Sequence, residues 1–127
     1  MTRKAIEAPS IIHANPLPSA CMVGPMLETS VIPPFDPNTR NIPESVDAQV
    51  ANLFTHIGSI LEVAEGTWDD IIKITFFVQT GDVRPAINGP WLEHFPYAET
   101  RPARHTQVVG GNGPAMAKCS FTAYIEQ

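Results

Sequence analysis

Six apolar residues, Val46, Val50, Leu53, Ile57, Ile60 and Ala64, recur at steps of three and four along the chain. On a helix of ~3.6 residues per turn that spacing stacks them into one stripe, and so long a stripe must be covered by a sheet. Asn41 with Glu44 three residues later has the form of a capping box, Pro43 suits a first turn, and Gly66 stands where a left-handed residue would end the run. The rest of the fold has to be built around this helix.

The stretch after it, DDIIKITFFVQT, is rich in β-branched and aromatic residues. Read with period two, Ile72, Ile74, Phe76 and Val78 share one face, and Ile71, Lys73, Thr75, Phe77 and Gln79 share the other. Gly81 and Asp82 turn the chain, with Asp82 as a candidate N-cap, and Ile87, Trp91 and Phe95 mark a second helical face that Pro90 should kink. Two strands close the chain around GGNGP. In the last, Ala117, Cys119, Phe121, Ala123 and Ile125 alternate with Lys118, Ser120, Thr122 and Tyr124. In the strand before it, Arg104, Thr106 and Val108 share a face opposite Ala103, His105, Gln107 and Val109. Upstream of the first helix, SACMVGPMLETSVI splits at Gly24 and Pro25 into a candidate hairpin, PPFDPNTRNIPES is a loop by composition, and a short strand is expected near Arg3 to Glu7. Strands, helix, strand, helix, strands is the order of an α+β sandwich with both helices on one side of a mostly antiparallel sheet.

Helices hide only one side of such a sheet. The other, carrying Thr75, Phe77, Ser120, Thr122, Tyr124 and, on this reading, Arg104, is too apolar to face water alone and suits a surface half-covered by another subunit. A chain of 127 residues with 43% hydrophobic and 17% charged residues has a real core, and association would bury more of it. One domain and an oligomer are expected.

Charge and composition exclude several function classes. A net charge of -5 with scattered basic residues opposes binding to a phosphate backbone. No apolar run approaches the ~20 residues of a membrane helix and the first residues, MTRKAIEAPS, lack the apolar segment of a secretory signal, so neither nucleic acid nor membrane is expected as a partner and the cytoplasm is the expected location. Cys21 and Cys119 read as reduced, small apolar residues. His13, His56, His94 and His105 show no metal-ligand spacing, and there is no phosphate loop, nucleophile elbow or cofactor fingerprint, so the expectation is a site without metal or cofactor.

Three segments, TRPARHTQVV, DAQVANLFTHIGSILEVAEGTWDDIIKITFFV and VRPAINGPWLEHF, together resemble the Rid family, also called YjgF, over about Asn15 to Ile125. The resemblance implies a chorismate-mutase-like subunit in a homotrimer, with sites in the clefts between neighbours, and hydrolytic deamination of small 2-imino or 2-enamino acids to 2-oxo acids and ammonia. It places the carboxylate-binding arginine on Arg104 and the helix asparagine on Asn88. Around them it implies substrate-binding positions at Ser30, Val31, Leu17 and Thr106, where the family pattern has a serine, a glycine, an aromatic hydroxyl and a cysteine, and a catalytic position at Ser120, where some members have a carboxylate. These departures keep the anion anchor and change its surroundings, which predicts slow or altered hydrolysis, with Glu28 a substitute for orienting the water. The alternatives are a trimer that binds a small carboxylate without turning it over, a catabolic deaminase for a different enamine, and a ribonuclease, which the acidic charge disfavours.

A guanidinium suits the anchor because it presents two parallel donors to a carboxylate and stays charged at physiological pH. An imine carbon is already electrophilic and needs a positioned water more than a strong base.

Overall fold

The computed structural model of the chain describes residues 2–126. Strand β1 (Lys4–Ile6), the hairpin β2 (Ala20–Val23) and β3 (Met26–Thr29), helix α1 (Val46–Val63), strand β4 (Ile71–Val78), helix α2 (Arg84–His94), and strands β5 (Ala103–Val108) and β6 (Ala117–Tyr124) follow in order. The six strands form one sheet in the order β1-β2-β3-β6-β4-β5. Every neighbouring pair is antiparallel except β4 and β5, whose parallel pairing is made possible by α2 as the crossover between them. The mostly antiparallel α+β architecture read from the sequence is the one observed.

The core lies between α1 and the sheet. Val50, Leu53, Ile57 and Ile60 of the stripe have no exposed surface, and they share one core cluster with Ile74, Phe76 and Val78 of β4, with Ala117, Cys119, Phe121 and Ala123 of β6, and with Ile125 just beyond it, all buried. Each large apolar side chain hidden there contributes about 1.5–3 kcal/mol. Ile87, Trp91 and Phe95 extend the same core under α2.

Four local readings are corrected. The cap of α1 is Ser45, whose side chain accepts from the Ala48 N–H, while Asn41 stays in the preceding loop with its own N–H on the Thr39 hydroxyl. At the other end the left-handed residue is Glu65, at φ 60°, rather than Gly66. The Glu65 and Gly66 N–H groups close onto the Glu62 and Leu61 carbonyls, the two bonds of a Schellman turn. Gly66 instead makes a close approach: a Cβ there would lie 2.7 Å from Ile125 Cδ1, so a larger residue would require that side chain to shift. In β4, Ile71 opposes Ala123 but Lys73 opposes Thr122, so a bulge inserts Ile72 as an extra residue. Ile71 is therefore buried and Ile72 is 47% exposed, the reverse of simple alternation. Asp82 caps nothing; it sits in a single 3-10 turn, Gly81–Val83, ahead of α2, and α2 runs through Pro90 to His94.

Among the described residues, two polar side chains of α1, Gln49 and His56, have no exposed surface, for structural ends. Gln49 on α1 donates to the Pro43 and Pro114 carbonyls and accepts from the Met116 N–H, tying two loops to the helix. His56 is held between the Phe35 carbonyl, 2.7 Å from Nε2, and the Ser10 hydroxyl, 2.9 Å from Nδ1. A carbonyl only accepts, so Nε2 carries the proton. Burial lowers the His56 pKa, partly offset by the bond to Phe35. With the folded value below the unfolded one, near 6.5, the unfolded chain binds the extra proton first as pH falls. The contribution of His56 to stability is therefore present above pH ~6.5 and drains away as pH drops through the folded value. Thermal unfolding between pH 8 and pH 5 should show a fall in Tm for the wild type that is smaller in His56→Gln.

Candidate functional site

Arg104 is the second residue of β5, and pairing decides where it points. Its partner across the parallel ladder is Ile74, a core residue, so Arg104 lies on the helix side of the sheet and not on the open side expected above. β5 is the edge strand and α2 covers it only partly, which lets the side chain run over core rings toward solvent. The Arg104 Cζ lies 5.2 Å from the Trp91 ring centroid and 5.6 Å from that of Phe76. Nη1 donates to Asn88 Oδ1 at 2.9 Å. No carboxylate neutralises it among the described residues. Partial burial, and then the charge of Arg84 at the start of α2, pull its pKa below the ordinary arginine value, although an arginine stays charged under any physiological condition. The result is a half-buried cation on an aromatic bed, oriented by one amide and facing no internal anion among the described residues. Such a group is suited to an external carboxylate. Arg101, by contrast, is spent on the backbone, with Nε donating to the Phe95 carbonyl at 2.9 Å.

Thr106 shares the Arg104 face two residues on, its ladder partner being Phe76. The other sequence-derived positions lie elsewhere. Leu17, Ser30 and Val31 line a hollow of ≈360 Å³ together with His13, Arg40 and Lys118. The Ser30 hydroxyl donates to the Pro18 carbonyl at 2.8 Å, fastening the loop that carries Leu17 to the end of β3. Leu17 and Val31 are 40% and 51% exposed. Ser120 pairs with Thr75 on the open face of the sheet, where Thr122 donates to Glu28 from the neighbouring strand. A larger, mainly apolar hollow of ≈440 Å³ adjoins on that face, with Phe77, Lys118 and the loop Gly110 to Pro114 in its wall. Within one chain, then, Arg104, Asn88 and Thr106 form one half of the candidate site, and Leu17, Ser30, Val31 and Ser120 belong to the opposite face.

Sequence reasoning missed Trp91 and Phe76 as a bed for Arg104, since both follow their apolar stripes and read as core alone. It also missed Arg40 and Lys118, which no local pattern marks. Cys119 is buried, and burial pushes its thiol far up, so it is no nucleophile. Among the described residues no group of three or more His, Cys, Asp or Glu is placed to hold a metal ion, and no helix is long and apolar enough to cross a membrane.

Comparison with known proteins matches residues 7–116 to the family described as Endoribonuclease L-PSP. A RutC family protein of Synechocystis is 29% identical over 107 residues, 82% of each chain. A protein of unknown function of the Rid family, YyfA of Yersinia pestis, superposes with a TM-score of 0.85 at 25% identity, covering 98% of this chain and 100% of its own. The YjgF gene product of E. coli does so with a TM-score of 0.80 at 26% identity, covering 95% and 98%.

Proposed function

Because the chain belongs to the Endoribonuclease L-PSP family, the family of YjgF and Rid proteins, we propose that it hydrolyses small 2-imino or 2-enamino acids to 2-oxo acids and ammonia in clefts between the subunits of a cytoplasmic homotrimer. One observation carries the reading: Arg104 is a fixed, half-buried cation with an amide and two rings for company and no acid of its own among the described residues. The substrate carboxylate takes the guanidinium fork and the Asn88 amide keeps the fork aimed.

A 2-enamino acid first tautomerises to the imine, with C3 gaining a proton and nitrogen losing one through water; water then adds to the imine carbon, giving a carbinolamine, and loss of ammonia leaves the 2-oxo acid. No cofactor is needed for this sequence, since the acceleration comes from holding an electrophilic carbon against an ordered water. Arg104 and the hollow of Leu17, Ser30 and Val31 lie on different faces of one chain, which suits a cleft whose two walls come from neighbouring protomers. On the second wall Ser120, with Glu28 on the same face, is the group available to orient the water.

A second reading is favoured by Leu17 and Val31, which present apolar surface to the hollow: the trimer binds a small carboxylate without converting it. Ribonuclease activity is opposed by the net charge of -5. The test is to generate 2-iminopropanoate with an amino-acid oxidase and measure ammonia and 2-oxo acid release. Faster release with the protein present supports the deaminase. Release at the spontaneous rate, with a 2-oxo acid still bound in calorimetry, replaces it with the binder.

A further inference from the structure

Resting on the reading of the cleft as a 2-imino acid site, we propose that the hollow beside Leu17 selects substrates carrying a second anionic group at the end remote from the imine, gripped by Arg40 with Lys118. Among the described residues the hollow of ≈360 Å³ is lined by Arg40, Lys118 and His13 and by no Asp or Glu. The chain as a whole carries 13 acids against 8 Lys and Arg, so this wall is locally of the opposite sign. Neither Arg40 nor Lys118 pairs with a carboxylate among the described residues.

The Arg40 guanidinium is supported 5.6 Å from the Phe35 ring centroid. Phe35 is itself held, because its carbonyl accepts the buried His56 Nε2–H. A guanidinium resting on a fixed ring keeps its N–H edge free for an anion and loses less freedom when one arrives. Lys118 reaches the same hollow from β6, on the face that carries Ser120, as a point charge. Between the two cations Ile12, Leu17 and Val31 offer apolar wall to a short methylene chain. The family-type anchor already occupies the α-carboxylate end, so cations gathered at the other wall have work only if the substrate is charged at both ends. Uncompensated like charges in a concave wall focus the field on such a ligand.

The test compares two imines of equal chain length, 2-iminoglutarate and 2-iminopentanoate, formed in situ from glutamate and norvaline. The wild type should prefer the first in kcat/KM, and Arg40→Ala should reduce that preference about tenfold, an effect kept modest because both cations are exposed to water in the single chain. Arg40→Lys should restore part of it, and Lys118→Gln should lower it independently. Equal kcat/KM values for the two imines in the wild type, or a preference untouched by either variant, overturn the proposal. If neither imine is accelerated, the deaminase reading fails on its own, and calorimetry decides the inference: 2-oxoglutarate must bind more tightly than 2-oxopentanoate in the wild type and lose that advantage in Arg40→Ala, and equal binding overturns it. Adding 2-oxo-4-phosphonobutanoate shows whether the distal group is a carboxylate or a phosphoryl group, according to which analogue binds more tightly.

Discussion

Arg104→Ala is expected to lower kcat/KM for imine hydrolysis by about 100-fold or more while leaving the fold as stable as before or slightly more so. Two charge-assisted hydrogen bonds to a carboxylate contribute about 1.5–3 kcal/mol each, and their joint loss corresponds to at least that factor. The stability side follows from the surroundings. Arg104 is a cation that burial and Arg84 both disfavour, and its compensation among the described residues is one amide oxygen and two ring faces. Removing it takes away a strained charge, a pattern expected where a residue is kept for its ligand. Steady-state kinetics and a thermal melt on the same preparation test both halves. A variant with undiminished kcat/KM removes the carboxylate anchor from the mechanism; one that loses activity only because it has unfolded shows instead that Arg104 is a structural brace. Asn88→Ala, which frees the fork without removing it, should raise KM more than it lowers kcat.

Phe76→Ala is expected to cost about 3–5 kcal/mol of folding free energy and to lower Tm by about 10–20 °C. Phe76 has no exposed surface and sits at the centre of a ring cluster, 6.1 Å from Phe54 and 6.4 Å from Trp91 between centroids. Packing at this density cannot close over a missing benzyl group, so both the transfer free energy and the cavity count against the variant. Urea unfolding should show a lower midpoint with an unchanged slope. Phe76→Leu keeps most of the volume and should lose about 1.5 kcal/mol or less. It still strips one ring from beneath Arg104, so a larger loss in kcat/KM than in stability would show that the ring supports the guanidinium as well as the core. A midpoint that does not move in Phe76→Ala would mean the cluster is looser than the ring distances imply.

The α1 stripe was legible because every residue in it answers to one local period, and the alternation of β6 was legible for the same reason. Ile72 was misread because a bulge changes the parity of a strand without changing its composition; only the partner strand, where Thr122 opposes Lys73, reveals it. Period two grouped Arg104 correctly with Thr106 but could not say which side of the sheet they occupy, since that depends on a parallel pairing to β4 at a separation no local pattern encodes. Glu65 takes a left-handed conformation that sequence reading assigns to the neighbouring glycine, and Gly66 instead lies close against the Ile125 side chain. Arg40 and Lys118 come from a proline-rich loop and a strand end, and only the folded chain brings them to one hollow.

The placement of Arg104 and the Leu17 hollow on opposite sides of the sheet has a genetic consequence in the proposed assembly. Each catalytic unit would draw its anchor from one polypeptide and its basin from the next around a closed ring. Two alleles, one silenced at the anchor and one at the basin, would therefore rescue each other when co-expressed, since random mixing rebuilds about a quarter of the units from one intact wall of each kind.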